Sequence, residues 1–196
     1  MMRRPRGADF APGAYVFPGG VVRAEDSEWG DATAAAAVRE LFEEVGILLA
    51  REGRRFARDR DCAEVRAAVS SGSSFSETLR SHGLRPDLDQ LVLLTRWVTP
   101  ALLSRRYDTR FYLARMPSGQ TVLAQTDEVS DWLWATPSRA LSEPKITLVY
   151  ATRKVLESVA GPDDVSTVLQ RARSRTSVPI VEPRMIQTES GWEIVH

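Results

Sequence analysis

Three glutamates carry the clearest chemical signal in this chain. Glu40, Glu43 and Glu44 follow Arg39 in the run Arg39-Glu40-Leu41-Phe42-Glu43-Glu44-Val45-Gly46-Ile47. At i, i+3 and i+4 of a helix their carboxylates share one side. Their mutual repulsion costs roughly 0.2–0.5 kcal/mol per contact even in water. The C-terminal half of a helix, where they stand, also disfavours negative charge. A hard divalent cation, Mg²⁺ or Mn²⁺, would offset both effects because it prefers carboxylate oxygen. The alternative is a solvated acidic face tolerated at small cost. Upstream, Pro18-Gly19-Gly20 is a turn signal.

The helix that must hold these glutamates spans 31–46. Asp31 is a good N-cap, the interior is Ala-rich and Gly46 stops it. Ala34, Val38, Leu41 and Val45 form its core stripe. Before it, Tyr15-Val16-Phe17 has strand propensity, and 23–30 is polar and reads as loop. After it, the charged and Ala-rich stretch 51–81 predicts helices at about 58–69 and 75–81, split by Ser70-Ser71-Gly72-Ser73-Ser74. Strands are expected over 91–98, 109–115 and within 128–134. Helices are expected from Pro137, over 148–160 and over 165–173, followed by an extended tail, 177–196. Strands interleaved with helices predict an α/β (α+β) fold.

The nine residues Arg39 to Ile47 match the core of the Nudix box at every constrained position, and Phe17-Pro18-Gly19-Gly20 matches the turn that opens it. The chain therefore resembles the Nudix hydrolases, which cleave nucleoside diphosphates linked to another group. The resemblance implies an α/β/α sandwich with a mixed sheet, a domain over 1–161 with a helical insert at about 51–90, and a C-terminal extension, 162–196. The 18 residues between Gly20 and Arg39 exceed the usual spacing. Asp31, with seven residues between it and Arg39, stands in for the usual acidic residue, while Asp26 keeps the correct distance from Gly20.

Site roles follow from the resemblance. Glu43 and Glu44 are implied metal ligands, Glu40 a ligand or base, and the Gly19 carbonyl a further ligand. Arg39 is expected to pair with Asp31 and orient the helix. Glu128, just before Trp132-Leu133-Trp134, is the expected downstream acidic ligand, with Asp127 second. Mg²⁺ or Mn²⁺ would neutralise the diphosphate and acidify water, with a Glu taking the proton. The family fold also implies one or two strands before the turn, yet 17 residues precede Pro18. The expectation is that N-terminal strands are missing and the true reading frame starts upstream. Met1-Met2-Arg3-Arg4-Pro5 would be the tail of such a strand.

Further segments, from Arg96-Trp97-Val98-Thr99-Pro100 to Ala151-Thr152-Arg153, resemble the Nudix branch that contains a mammalian peroxisomal coenzyme A diphosphatase. That branch implies coenzyme A or acyl-coenzyme A as substrate, with 3′,5′-ADP as one product. ADP-ribose or a reduced dinucleotide is the alternative, and a non-catalytic nucleotide-binding module the second. Arg105, Arg106 and Arg110 are candidates for phosphate. Tyr107, Trp97 and Tyr15 are candidates for stacking on adenine. Family members often dimerise, so a homodimer is allowed.

Composition narrows the classes. The 26 basic and 26 acidic residues balance to zero net charge, which counts against nucleic acid as partner. The lone Cys62 excludes a disulfide within the chain. No apolar run reaches membrane-span length, and no apolar segment follows the basic N-terminus as a secretory signal would require. A cytoplasmic location is the default expectation.

Overall fold

A computed structural model of the chain describes residues 1–103, 106–125, 127–188 and 191–195. The chain divides into two compact units, Met1–Leu91 with Arg115–Gly161, and Val92–Ala114 with Pro162–His196. The first unit opens with β1 (Met2–Arg3), β2 (Tyr15–Val16) and α1 (Ala32–Val45). It continues through β3 (Ala50–Glu52), β4 (Arg55–Phe56), α2 (Asp59–Ser70), α3 (Phe75–Ser81) and β5 (Arg85–Pro86). The second unit then supplies β6 (Val92–Val98) and β7 (Asp108–Leu113). The chain returns to the first unit for β8 (Asp131–Trp132), α4 (Pro137–Ser142) and α5 (Tyr150–Val159). It closes in the second with α6 (Val165–Arg173), β9 (Ile180–Val181), β10 (Arg184–Thr188) and β11 (Gly191–Val195).

In the first unit, α1 forms for the local reasons read in the sequence. The Asp31 side chain accepts from the backbone N–H of Thr33 at 3.0 Å and of Ala34 at 3.1 Å, which satisfies two orphan donors. At the other end Gly46 turns left-handed at φ 77°, and its N–H reaches the Phe42 carbonyl. A Cβ at Gly46 would stand 2.9 Å from the Leu123 carbonyl oxygen, so the helix stop also needs close approach. Two sides of α1 are buried. Val38 and Phe42 pack with Cys62, Val65, Phe75 and Leu79, seating α1 on α2 and α3. Val45 packs with Met2, Ile47 and Val129.

Met2 and Arg3 form the centre of a three-stranded antiparallel sheet. Met2 lies opposite both Val16 and Trp132. A second three-stranded sheet centres on β3, between β4 and β5. The segment 23–30, read as loop, instead coils into a 3-10 helix over Ala24–Trp29. The reason is long-range: the Trp29 indole N–H donates to Ser76 Oγ at 2.8 Å, and Glu25 accepts from the Ser76 backbone N–H.

In the second unit, β6 lies between β7, antiparallel, and β9, parallel. The extended reading of the tail is thus resolved into a strand on β6 and the hairpin β10–β11. Among the described residues, no helix is long and apolar enough to cross a membrane.

Candidate active site

Arg39 organises the carboxylates. Its side chain is fully buried, and all five of its N–H donors are used. Nε and Nη2 grip Asp26 in a fork at 2.9 and 3.0 Å. Nη2 also reaches the Val21 carbonyl at 2.8 Å. Nη1 donates to Glu40 at 2.7 Å and to Glu43 at 2.9 Å. Burial works against its charge, but the bonds to Asp26 and Glu40 outweigh it and hold its pKa above the ordinary value.

The expected Arg39–Asp31 pair is not formed. Asp31 caps α1 and receives the Thr33 hydroxyl. It stands eight residues from Arg39, about 12 Å along a helix axis, which is too far to bridge. Asp26, 1% exposed, takes the role because the 3-10 helix folds it back against α1.

Glu44 is 5% exposed, and its Oε2 accepts the Gly19 N–H at 2.7 Å. Burial pushes its pKa up to about 8. The Gly19 bond opposes this, while the charges of Glu40 and Glu128 add to it. Burial likewise raises Glu40, against the pull of Arg39. A Cβ at Gly20 would lie 2.5–2.7 Å from the Glu40 carboxylate, so only glycine lets the turn close on that group. Glu43 also takes a 2.9 Å bond from Arg23.

Glu128 reaches this region through the end of α1. The N–H groups of Leu123 and Gln125 donate to the carbonyls of Val45 and Glu44, orphans of the last helical turn, each at 2.9 Å. The N–H of Val129 then bonds back to Gln125. An open cleft of about 160 Å³ results, lined by Phe42, Glu43, Arg66, Val69, Ser70, Gln125 and Glu128. Asp127 does not line it. Arg66 and Gln125 were not singled out in the sequence: one is an arginine among many in a charged helix, the other a loop amide.

Among the described residues, no three His, Cys, Asp or Glu side chains converge as a ready-made cation cage. Glu40 and Glu43 face Arg39, and Glu44 faces Gly19. The donor set nonetheless fits a hard divalent ion in kind. It is all oxygen, and Glu44 is a carboxyl whose ionised form is disfavoured by burial and by the charges of Glu40 and Glu128.

The pattern of the NUDT19 Nudix domain matches residues 30–152, a span holding α1, the insert and Glu128. The chain belongs to the Nudix hydrolase family. The helix α1 is its Nudix helix, and the Gly19–Gly20 turn lies just before the matched span. It is 35% identical to a Caenorhabditis elegans protein named nudix hydrolase 7, over 73% of this chain and 48% of that protein. It is 26% identical to the acyl-coenzyme A diphosphatase NUDT19 of Gallus gallus, over 74% of this chain and 55% of that one. The chain spans about half the length of the curated relatives it matches. A crystal structure of a Nudix hydrolase from Alicyclobacillus acidocaldarius superposes with a TM-score of 0.72 at 26% identity, over 92% of this chain and 88% of that one. The Nudix fold is thereby shared.

Arg105 lies outside the described residues. Arg106 and Tyr107 belong to the second unit, where Arg106 bonds the Thr99 carbonyl and Glu182, and the Tyr107 backbone pairs with Thr99. Arg110 is exposed on β7. Trp97 is buried within the second unit. Tyr15 is buried too, donating its hydroxyl to Asp131 at 2.6 Å, so neither ring is free to stack on a ligand.

Proposed function

We propose that this Nudix hydrolase is a divalent-cation-dependent diphosphatase acting on coenzyme A or acyl-coenzyme A. Water cleaves the phosphoanhydride, giving 3′,5′-ADP and a 4′-phosphopantetheine or its acyl form. The observation that carries the reading is the carboxylate array ordered by Arg39, with Glu44 buried on the Gly19 N–H. Likeness to proteins named acyl-coenzyme A diphosphatase supports the substrate class.

When bound, Mg²⁺ or Mn²⁺ supplies neutralisation of the diphosphate and acidification of water. Glu43, Glu44 and Glu128, with the Gly19 carbonyl, are the residues that would hold it. Glu40 serves as ligand or as the base that takes the proton from water. Its raised pKa suits it to accept one. With all five donors taken, Arg39 acts in this reading as a positioning residue: it fixes the rotamers of Glu40 and Glu43 and, through Asp26, keeps itself in place.

A hydrolysis screen over coenzyme A, acyl-coenzyme A, ADP-ribose and NADH, with Mg²⁺ and then Mn²⁺, tests this. The expected result is the highest kcat/KM on a coenzyme A species, abolished by chelator. Glu44→Gln is expected to lower kcat by about two orders of magnitude or more while the fold persists. Faster turnover of ADP-ribose or NADH would overturn the substrate class. Nucleotide binding with no turnover would make the chain a binding module instead.

A further inference from the structure

We propose that Arg66, carried by the insert helix α2, holds the diphosphate of the substrate in the carboxylate cleft. This rests on the diphosphatase reading and names the residue that receives the anion.

The argument starts from where α2 is anchored. Cys62 and Val65 are buried in the core beside Val38 and Phe42 of α1, which fixes the backbone of the next residue over the Nudix helix. From there the Arg66 guanidinium lies 5.3 Å from the centre of the Phe42 ring, within cation–π range. The same Phe42 and Arg66 line the cleft with Glu43 and Glu128. Arg66 is the single cationic side chain among the lining residues.

Its bonds leave it open to an anion. Nη1 reaches Gln125 at 3.4 Å and Nη2 the Leu123 carbonyl at 3.3 Å, both at the long end of hydrogen bonding. Among the described residues no carboxylate lies within ion-pair distance of Arg66. By contrast Arg23, Arg39, Arg55 and Arg60 each hold one. Burial also works against its charge. A half-buried guanidinium with unused donors, lying over an aromatic ring at the wall of a cleft, matches the bidentate recognition of phosphate oxygen. Two of the proposed cation ligands, Glu43 and Glu128, line this cleft, so the phosphate Arg66 meets is the one being cleaved rather than an outlying 3′-phosphate.

The test compares wild type with Arg66→Met and Arg66→Lys. Inorganic pyrophosphate is titrated calorimetrically in excess Mg²⁺, and kinetics are measured on coenzyme A and on its 3′-dephospho form. Pyrophosphate affinity is expected to fall about tenfold or more in Arg66→Met, and less in Arg66→Lys, which keeps the charge and loses the fork. KM is expected to rise more than kcat falls, and equally on both coenzyme A forms. If Arg66→Met fails to fold, Arg66→Lys, which keeps a long stem over Phe42, carries the comparison.

Unchanged pyrophosphate affinity in a folded variant would overturn the proposal, leaving Arg66 a brace for the 123–125 segment that moves only the melting temperature. A loss confined to coenzyme A, with the dephospho form untouched, would overturn it in favour of the outlying phosphate. Pyrophosphate binding through Arg66 without any hydrolysis would uphold the proposal and sink the diphosphatase reading. Hydrolysis indifferent to Arg66 would do the reverse.

Discussion

Replacing Asp26 should damage this protein far more than replacing Asp31, although both stand at family-like distances from the Nudix box. In Asp26→Ala, Arg39 loses the fork formed by its Nε and Nη2 at 2.9 and 3.0 Å while remaining fully buried. Removing one partner of a buried ion pair costs about 3–5 kcal/mol, and the low end applies here because Glu40 and Glu43 still pair with Nη1. The loss also frees the Arg23 backbone N–H, which donates to Asp26 at 2.7 Å. In Asp31→Ala only the helix cap is lost, worth about 1 kcal/mol. Urea unfolding of the two variants measures both, and hydrogen exchange of the α1 amides localises the effect. Equal costs at the two aspartates, or less than about 1 kcal/mol at Asp26, would refute the assignment of Asp26 as the anchor of Arg39.

Glu44 makes stability depend on pH in an unusual direction. Its pKa in the native state is about 8 against an ordinary 4.5, so between those values the folded protein holds the extra proton. Its contribution is complete below about pH 4.5 and is lost as pH rises through 8, with a ceiling of roughly 5 kcal/mol. Metal-free protein should therefore weaken from pH 5 to pH 8 in urea titrations, and Glu44→Gln should flatten that slope. A metal-free wild type indifferent to pH over this range would contradict the buried, protonated carboxyl. The two glycines of the turn should differ sharply. Gly20→Ala drives a Cβ into the Glu40 carboxylate, whereas a Cβ at Gly19 meets nothing within 4 Å. Hydrolysis should drop about tenfold or more in Gly20→Ala and far less in Gly19→Ala, and comparable losses would show that the approach to Glu40 is not what matters.

What was legible in the sequence was what is local in the fold. The cap at Asp31, the left-handed stop at Gly46 and the i, i+3, i+4 glutamates all act within a few residues, so α1 and its donor set could be read directly. The partner of Arg39 could not. Two aspartates had suitable spacing, and the choice turns on a 3-10 helix that exists because Trp29 and Glu25 bind Ser76, some fifty residues later. Arg66 was equally hidden: no local pattern marks it among the chain's 24 arginines, and only the Phe42 ring and the 123–125 segment distinguish it. The strand Ile180–Val181 joins β6 by parallel pairing across more than eighty residues, which no local pattern announces.

The same division between local and distant contacts bears on the chemistry. Glu40 and Glu43 each commit an oxygen to Nη1 of Arg39, so a cation recruiting them must share them with a guanidinium that Asp26 holds in place. Were Arg39 loose, the glutamates could follow it or repel one another into solvent. Held from behind by Asp26 and by the Val21 carbonyl, it fixes two carboxylates while leaving their second oxygens for other partners. One of these, on Glu43, already accepts from Arg23, a half-exposed side chain whose ion pair is cheap to break in water. The nine-residue motif therefore specifies which oxygens are present. The segment between Gly20 and Arg39, lengthened relative to the usual box, determines through Asp26 how firmly they are held.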